Sequence, residues 1–343
     1  MFYYRKFAQS PWLMKRNVRR KSSVTGDGIS RVFLFPGQGS QFVGMCERFH
    51  KEPWLLSLFD KVSSCVGFDL LKMCLNGPDE ELQKTENCQL AVVTASLAAV
   101  QWCRYHGYLE QPGNKLSDSN VCATAGFSVG EFAALVFAEA FSLDDAIKVI
   151  HCRAKAMQEA SEKTPSGMVT VKGLNENEIQ ELCTIASNAV QSKDSVVIAN
   201  HLYTRGHVIA GPMDAVEYVL QFGKSKHGAR DVFQLPVSGA FHTALMSSAQ
   251  PIVKEALDAI SVCLPEIPVY SNVTGKPYES VEMIKTLLVD QIVQPVQWQS
   301  LIQNVIKDWN PDMFYEVGPG RQLTAMLYQI DTKYRRRCKN IQV

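Results

Sequence analysis

The residues in this chain best suited to covalent chemistry are Gly126-Phe127-Ser128-Val129-Gly130. An apolar run at 121–126 precedes them and a helical pattern at 129–140 follows. The glycines permit a sharp turn, so the serine hydroxyl projects from the strand end. The helix behind it aims free N–H groups and the positive end of its dipole at the same point. A carbonyl attacked there would gather its negative charge beside those donors. The serine needs a base, and histidine is the side chain that serves near neutral pH. Seven are available: His50, His106, His151, His201, His207, His227 and His242. His50, His106 and His227 lie in polar stretches, His151 lies on a helical pattern, and His201 and His207 flank a turn. His242 ends the loop Pro236-Val237-Ser238-Gly239-Ala240-Phe241, which favours it without excluding the others.

The elements around these residues form an α/β pattern. Val32-Phe33-Leu34-Phe35, closed by Pro36-Gly37, reads as a buried strand and a tight loop. Helical patterns fill 41–105. A polar loop at 114–120 leads to the strand before Ser128. Ser142 and Asp145 open a helix running to about Ala160. From Pro165 the character changes. Strand patterns at 167–173, 196–200, 207–211 and 231–237 alternate with helical patterns at 176–189 and 213–223. The order β-α-β-β-α-β is that of a ferredoxin-like unit. The expected architecture is a hydrolase-like, doubly wound core at 31–164 and 235–330, a ferredoxin-like small subdomain at 165–234, and a basic C-terminal tail at 331–343.

Five separated stretches resemble the malonyl-CoA:acyl carrier protein transacylases and the acyltransferase domains of fatty-acid and polyketide synthases. They are 35–41 (FPGQGSQ), 126–131 (GFSVGE), Arg153 with 156–160 (AMQEA), 239–242 (GAFH), and 291–298 with 316–320 (EVGPG). They occur in the family's order and span about residues 31–330. The resemblance implies that Ser128 is the nucleophile and His242 the base and later the acid. It implies backbone N–H donors to the oxyanion at Gln38 and Val129, and a backbone carbonyl at Gln291 that orients the histidine in place of a carboxylate. Arg153 would pair with the free carboxylate of a malonyl group. Phe241 would crowd an added methyl group. Read by pattern alone, Gln38 is a turn residue and Arg153 a helix arginine. Glu131 is read as a first-turn acid that complements the helix dipole.

The implied reaction is ping-pong transfer of malonyl from malonyl-CoA to the phosphopantetheine thiol of acyl carrier protein, in fatty-acid synthesis. It needs no cofactor, since coenzyme A enters as part of the substrate. Two positions depart from the family pattern. Phe127 stands where a histidine is usual. Leu202-Tyr203-Thr204 follows Asn200 where a second asparagine and Ser-Pro are common, which leaves coenzyme A contacts in the insert unassigned. The competing readings are a serine thioesterase or esterase and an inactive carrier-binding scaffold. Hydrolases of the related fold place an acid between serine and histidine in the chain, and no clear signal of that kind occurs between Ser128 and His242.

Composition narrows the setting. The 343 residues are 46% hydrophobic and 20% charged, with formal net charge +1. Seven basic side chains and one acid fall within residues 1–30; residues 31–343 carry 28 Lys and Arg against 33 Asp and Glu, a net of −5. An acidic body argues against nucleic acid as a partner. The leader, rich in Arg, Lys and Ser, has the composition of a mitochondrial transit peptide and lacks the apolar stretch of a secretory signal. Together with the family match it resembles the mitochondrial members and implies the matrix. The apolar run at 91–100 is too short for a membrane span. The ten cysteines show no CxxC or metal-ligand spacing, so no metal is expected. An acidic carrier would need a local basic patch. Lys224, Lys226, His227 and Arg230 offer one, and Lys333, Arg335, Arg336, Arg337 and Lys339 another.

Overall fold

Val32, Phe33, Leu34 and Phe35 have no polar face to give to water, so their strand belongs in the middle of a sheet covered on both sides. In the computed structural model, which describes residues 28–107, 109, 120–191 and 194–342, all four are buried. They form β1 (Arg31–Phe35). Its neighbours are β2 (Val121–Gly126) and β8 (Met313–Val317), with β7 (Val269–Tyr270) and β9 (Cys338–Ile341) outside them. The order is β7-β2-β1-β8-β9 and every pairing is parallel. Phe33 and Phe35 pack on one face, both against Phe137. Val32 and Leu34 pack on the other, with Trp298, Leu301 and Leu327. Helices Thr85–Tyr105, Gly130–Phe137 and Leu143–Lys163 carry the first face, and helices Trp298–Trp309 and Gln322–Ile330 the second. The chain winds outward from β1 in both directions. The switch point therefore lies between β1 and β8, where open α/β sheets bind their ligands at the carboxyl ends of the strands.

The insert comprises β3 (Ser166–Lys172), helix Glu176–Val190, β4 (Val197–Tyr203), β5 (Gly206–Pro212), helix Met213–Phe222 and β6 (Asp231–Gln234). Its antiparallel order, β4-β5-β3-β6, is ferredoxin-like. The period-2 alternation of β3 divides its work. Val169 and Val171 face the insert's own helices, packing near Ile179, Leu182, Val216 and Val219. Met168, Thr170 and Lys172 face the cleft between insert and core. Backbone bonds join the two parts directly: His201 N–H donates to Val296 O at 2.9 Å and Val296 N–H to Ala199 O at 2.9 Å.

Two sequence expectations are corrected. The expected tail at 331–343 is, over residues 331–342, part of the fold. Thr332–Arg336 forms a 3-10 turn that buries Tyr334 edge-on against Phe314, with centroids 4.8 Å apart, and Cys338–Ile341 completes the core sheet beside β8. The strand expected at 231–237 ends at Gln234, because Pro236 and the chain after it turn away to form the cleft wall. The expected leader lies, apart from residues 28–30, outside the described residues.

Candidate active site

Gly126, Ser128 and Gly130 make the turn between β2 and helix Gly130–Phe137. A Cβ on Gly126 would sit 1.9 Å from the Gly130 carbonyl, and one on Gly130 would sit 2.3 Å from Phe35 O. The loop after β1 comes equally close, since a Cβ on Gly37 would meet Phe127 O at 2.4 Å. Only glycine permits this approach of the two loops. Ser128 itself has φ +51°, a left-handed conformation that costs a non-glycine residue of order 1 kcal/mol or more. Asn272 holds it there. Its Oδ1 accepts from Ser128 N–H at 2.6 Å and its Nδ2 donates to Gly126 O at 2.6 Å.

His242, also left-handed at φ +61°, stands across from the serine. Ser128 Oγ lies 2.9 Å from His242 Nε2, and His242 Nδ1 lies 2.7 Å from the backbone oxygen of Gln291. A carbonyl can only accept, so Nδ1 carries the proton and Nε2 is free to accept from the serine. Burial holds the imidazole down at about 4, helped by the Arg153 charge and opposed by the Gln291 carbonyl. It is therefore neutral at physiological pH, the form a base requires. Among the described residues no carboxylate touches it.

Arg153 enters from helix Leu143–Lys163 and is fully buried. Nη1 donates to Gln89 Oε1 at 2.6 Å, and Nη2 donates to Gln291 Oε1 at 2.8 Å and Ser128 Oγ at 3.3 Å. The guanidinium lies over the Phe132 ring, 5.7 Å from its centroid. Its Nε has no partner among the described residues. Burial lowers it to about 10, so it stays charged.

Gln38, on the loop after β1, lines the same cleft as Ser128, and Val129 is the next residue after the serine. Neither backbone N–H donates a hydrogen bond among the described residues. The Gln38 side chain reaches Thr85 Oγ1 at 3.3 Å. The cleft, about 430 Å³, is lined by Gln38, Ser128, His242 and Phe241 from the core and by Asn200 and Leu202 from the insert. It is largely apolar in its depth, while Lys172 and Arg230 also line it. Phe127 packs edge-on against Trp298 at 5.3 Å, so the departure at this position becomes an apolar contact of the cleft wall.

All the sequence candidates, Ser128, His242, Arg153, Gln38, Val129, Phe241 and Gln291, meet in this one place. Sequence reasoning missed Gln89, Asn272 and Tyr278. Gln89 carried a weak signal, as a polar residue entering the apolar run at 90–93. The 316–320 stretch acts at one remove. Glu316 accepts from Leu323 N–H at 3.0 Å and Thr324 N–H at 2.8 Å, capping the helix whose residues Gln322, Leu323 and Met326 line the cleft. Among the described residues no group of three or more His, Cys, Asp or Glu is placed to hold a metal ion, and no helix is long and apolar enough to cross a membrane.

A serine on a strand-to-helix elbow beside a carbonyl-oriented histidine, at the carboxyl end of a parallel sheet, is an arrangement suited to acyl transfer. Residues 32–336 match the acyl transferase domain model, and the chain belongs to that family. Within it, the chain is similar to the mitochondrial malonyl-CoA-acyl carrier protein transacylase of Homo sapiens, 40% identical over 307 residues covering 88% of this chain and 77% of the relative. The Mus musculus counterpart is 39% identical over 303 residues, covering 86% and 77%. Among solved structures, the malonyl CoA-acyl carrier protein transacylase of Coxiella burnetii superposes with TM-score 0.80 at 33% identity, covering 91% of this chain and 94% of that one. A malonyl-transacylase in complex with its type II polyketide acyl-carrier protein gives TM-score 0.80 at 31% identity, covering 91% and 94%.

Proposed function

We propose that this malonyl-CoA:acyl carrier protein transacylase works through a malonyl ester of Ser128. Ser128 Oγ attacks the thioester carbon of malonyl-CoA while His242 Nε2 takes its proton. The tetrahedral oxyanion is received by the N–H groups of Gln38 and Val129. Collapse breaks the C–S bond, and the departing coenzyme A thiolate takes the proton back from His242. In the second half, His242 deprotonates the carrier's phosphopantetheine thiol. The thiolate attacks the ester and Ser128 regains its proton. The Gln291 carbonyl keeps the imidazole in the productive tautomer throughout. No step calls for a cofactor.

The observation that carries this reading is the buried guanidinium of Arg153 at 3.3 Å from Ser128 Oγ. A full positive charge beside the acylated oxygen suits an acyl group that brings the opposite one, as the free carboxylate of malonyl does. Phe241, which lines the cleft, would crowd a methyl branch. The enzyme is mitochondrial, in keeping with its mitochondrial relatives, and we place it in the matrix on the composition of its leader. The carrier's basic partner is Lys224, Lys226 and Arg230. Arg230 lines the cleft, though Asp231 at 3.2 Å offsets part of its charge.

Intact-mass analysis after mixing with malonyl-CoA tests the assignment. The wild-type protein should gain one malonyl group that carrier protein discharges and water does not. Ser128→Ala should stay folded and gain none; a variant acylated at the normal rate would overturn the role given to Ser128.

A further inference from the structure

Glu131 follows Ser128 by three residues, yet its side chain does not face solvent at the helix start. It is 1% exposed and turned beneath the nucleophile. Three donors converge on it. Tyr278 OH donates to Oε1 at 2.6 Å, Asn272 N–H donates to Oε1 at 3.2 Å, and Gln291 Nε2 donates to Oε2.

Two of these donors belong to residues that hold the site. Gln291 offers its backbone oxygen to His242, its Oε1 to Arg153, and its Nε2 to Ser128 O at 3.0 Å as well as to Glu131. Asn272 fixes the backbone of Gly126 and Ser128 on either side of the turn. We infer that Glu131 is a positioning residue that sets base, nucleophile and Arg153 together, acting through Gln291, whose side-chain amide it orients, and through Asn272, whose backbone N–H it accepts.

The polarity argument is local. Gln291 must present Oε1 to the guanidinium, which only donates, so its NH₂ must point at residue 131. Asn272 N–H can only donate as well. A carboxylate accepts both at once. A glutamine at 131 has one oxygen and one NH₂, so it satisfies one of the two and sets donor against donor at the other. If Gln291 turned its amide to relieve this, its NH₂ would confront Arg153. Glu131 also supplies the negative charge that a buried Arg153 lacks before malonyl arrives. The titratable groups facing it are Tyr278 and Arg153, with His242 reached through Gln291. Burial pushes its carboxyl up to about 7, against the lowering effects of Tyr278, Gln291, Asn272 and Arg153.

This inference rests on Ser128 and His242 being the reacting pair, which the adduct experiment judges on the wild-type protein alone. With that adduct in hand, kcat/KM for malonyl-CoA and acetyl-CoA is measured from pH 5.5 to 8.5 for wild type, Glu131→Gln and Tyr278→Phe. Glu131→Gln should lower malonyl transfer at least tenfold and reduce the malonyl-to-acetyl ratio, since Arg153 loses its set position. Tyr278→Phe removes a donor that favours the ionised form, so the acidic limb of its malonyl profile should move to higher pH. A Glu131→Gln enzyme within twofold of wild type and of unchanged ratio would overturn the inference. Should that variant fail to fold, an acidic limb unmoved in Tyr278→Phe would overturn it equally.

Discussion

Replacing Arg153 by methionine keeps most of its buried volume and removes its charge. In the resting enzyme the side chain donates three hydrogen bonds, to Gln89, Gln291 and Ser128. Losing those to Gln89 and Gln291 loosens the site for any acyl group, so that part of the effect is common to malonyl and acetyl and cancels in their ratio. What does not cancel is the bond to the malonyl carboxylate, which acetyl lacks. One charge-assisted hydrogen bond contributes roughly 1.5–3 kcal/mol. At about 1.4 kcal/mol per factor of ten, the malonyl-to-acetyl ratio of kcat/KM should fall by about 10- to 150-fold. The base should change as well. Arg153 helps hold His242 low, so its loss lets the imidazole titrate at higher pH and the acidic limb for acetyl transfer should shift upward. Competition between the two coenzyme A thioesters, read by mass of the acylated protein, measures the ratio directly. A ratio unchanged within twofold would refute the pairing of Arg153 with the malonyl carboxylate, whatever happened to the absolute rates.

Three further outcomes follow from the same geometry. His242→Ala should slow both acylation by malonyl-CoA and discharge to carrier by about 10²–10⁴, seen in single-turnover kinetics, and a change confined to substrate affinity would contradict its role. The Glu131 carboxyl titrates near 7 in the fold against 4.5 when free, so its stabilising contribution is full at low pH and lost as pH rises through about 7. Urea denaturation at pH 5.5 and 8.5 should then show wild type losing stability relative to Glu131→Gln across that interval, by up to roughly 2 kcal/mol; a constant difference would be the contrary result. Reversing Lys226 and Arg230 to Glu should raise KM for the carrier, more so at low salt, while malonylation of Ser128 changes much less; carrier kinetics indifferent to the reversals would move the docking site elsewhere.

Much of the fold and the serine elbow was legible from strong local signals, whereas pattern favoured His242 over the other histidines only modestly. Continuous apolar runs marked β1 and β2, glycines marked the elbow, and alternation marked the insert. Pattern alone did not isolate Gln38, Arg153 or Gln291. Their surroundings are made by neighbours distant in sequence, such as Gln291 with His242 and Arg153, and only the family resemblance pointed to them. Glu131 was misleading for a physical reason: an acid in the first turn of a helix does complement the dipole, and nothing in its vicinity says that the side chain folds inward. Asn272 and Tyr278 follow a strand of two residues, too short to announce itself. The C-terminal strand was hidden likewise. Cys338-Lys339-Asn340-Ile341 is a mixed-polarity edge strand whose conformation is imposed by β8.

The paired peptide bonds between Val296 and the 199–201 segment of the insert bear on how substrates enter. They seam the insert to the core beside the cleft wall at Asn200, and the loop bearing His242 begins only a few residues after the insert's last strand. Swinging the insert away would tear that seam and drag the base from the nucleophile. The cleft thus behaves as a slot and not as a jaw: it admits what can be threaded in by its tip. Both substrates have that shape, since each presents its sulfur at the end of a slender pantetheine arm while the bulk of nucleotide or carrier stays outside.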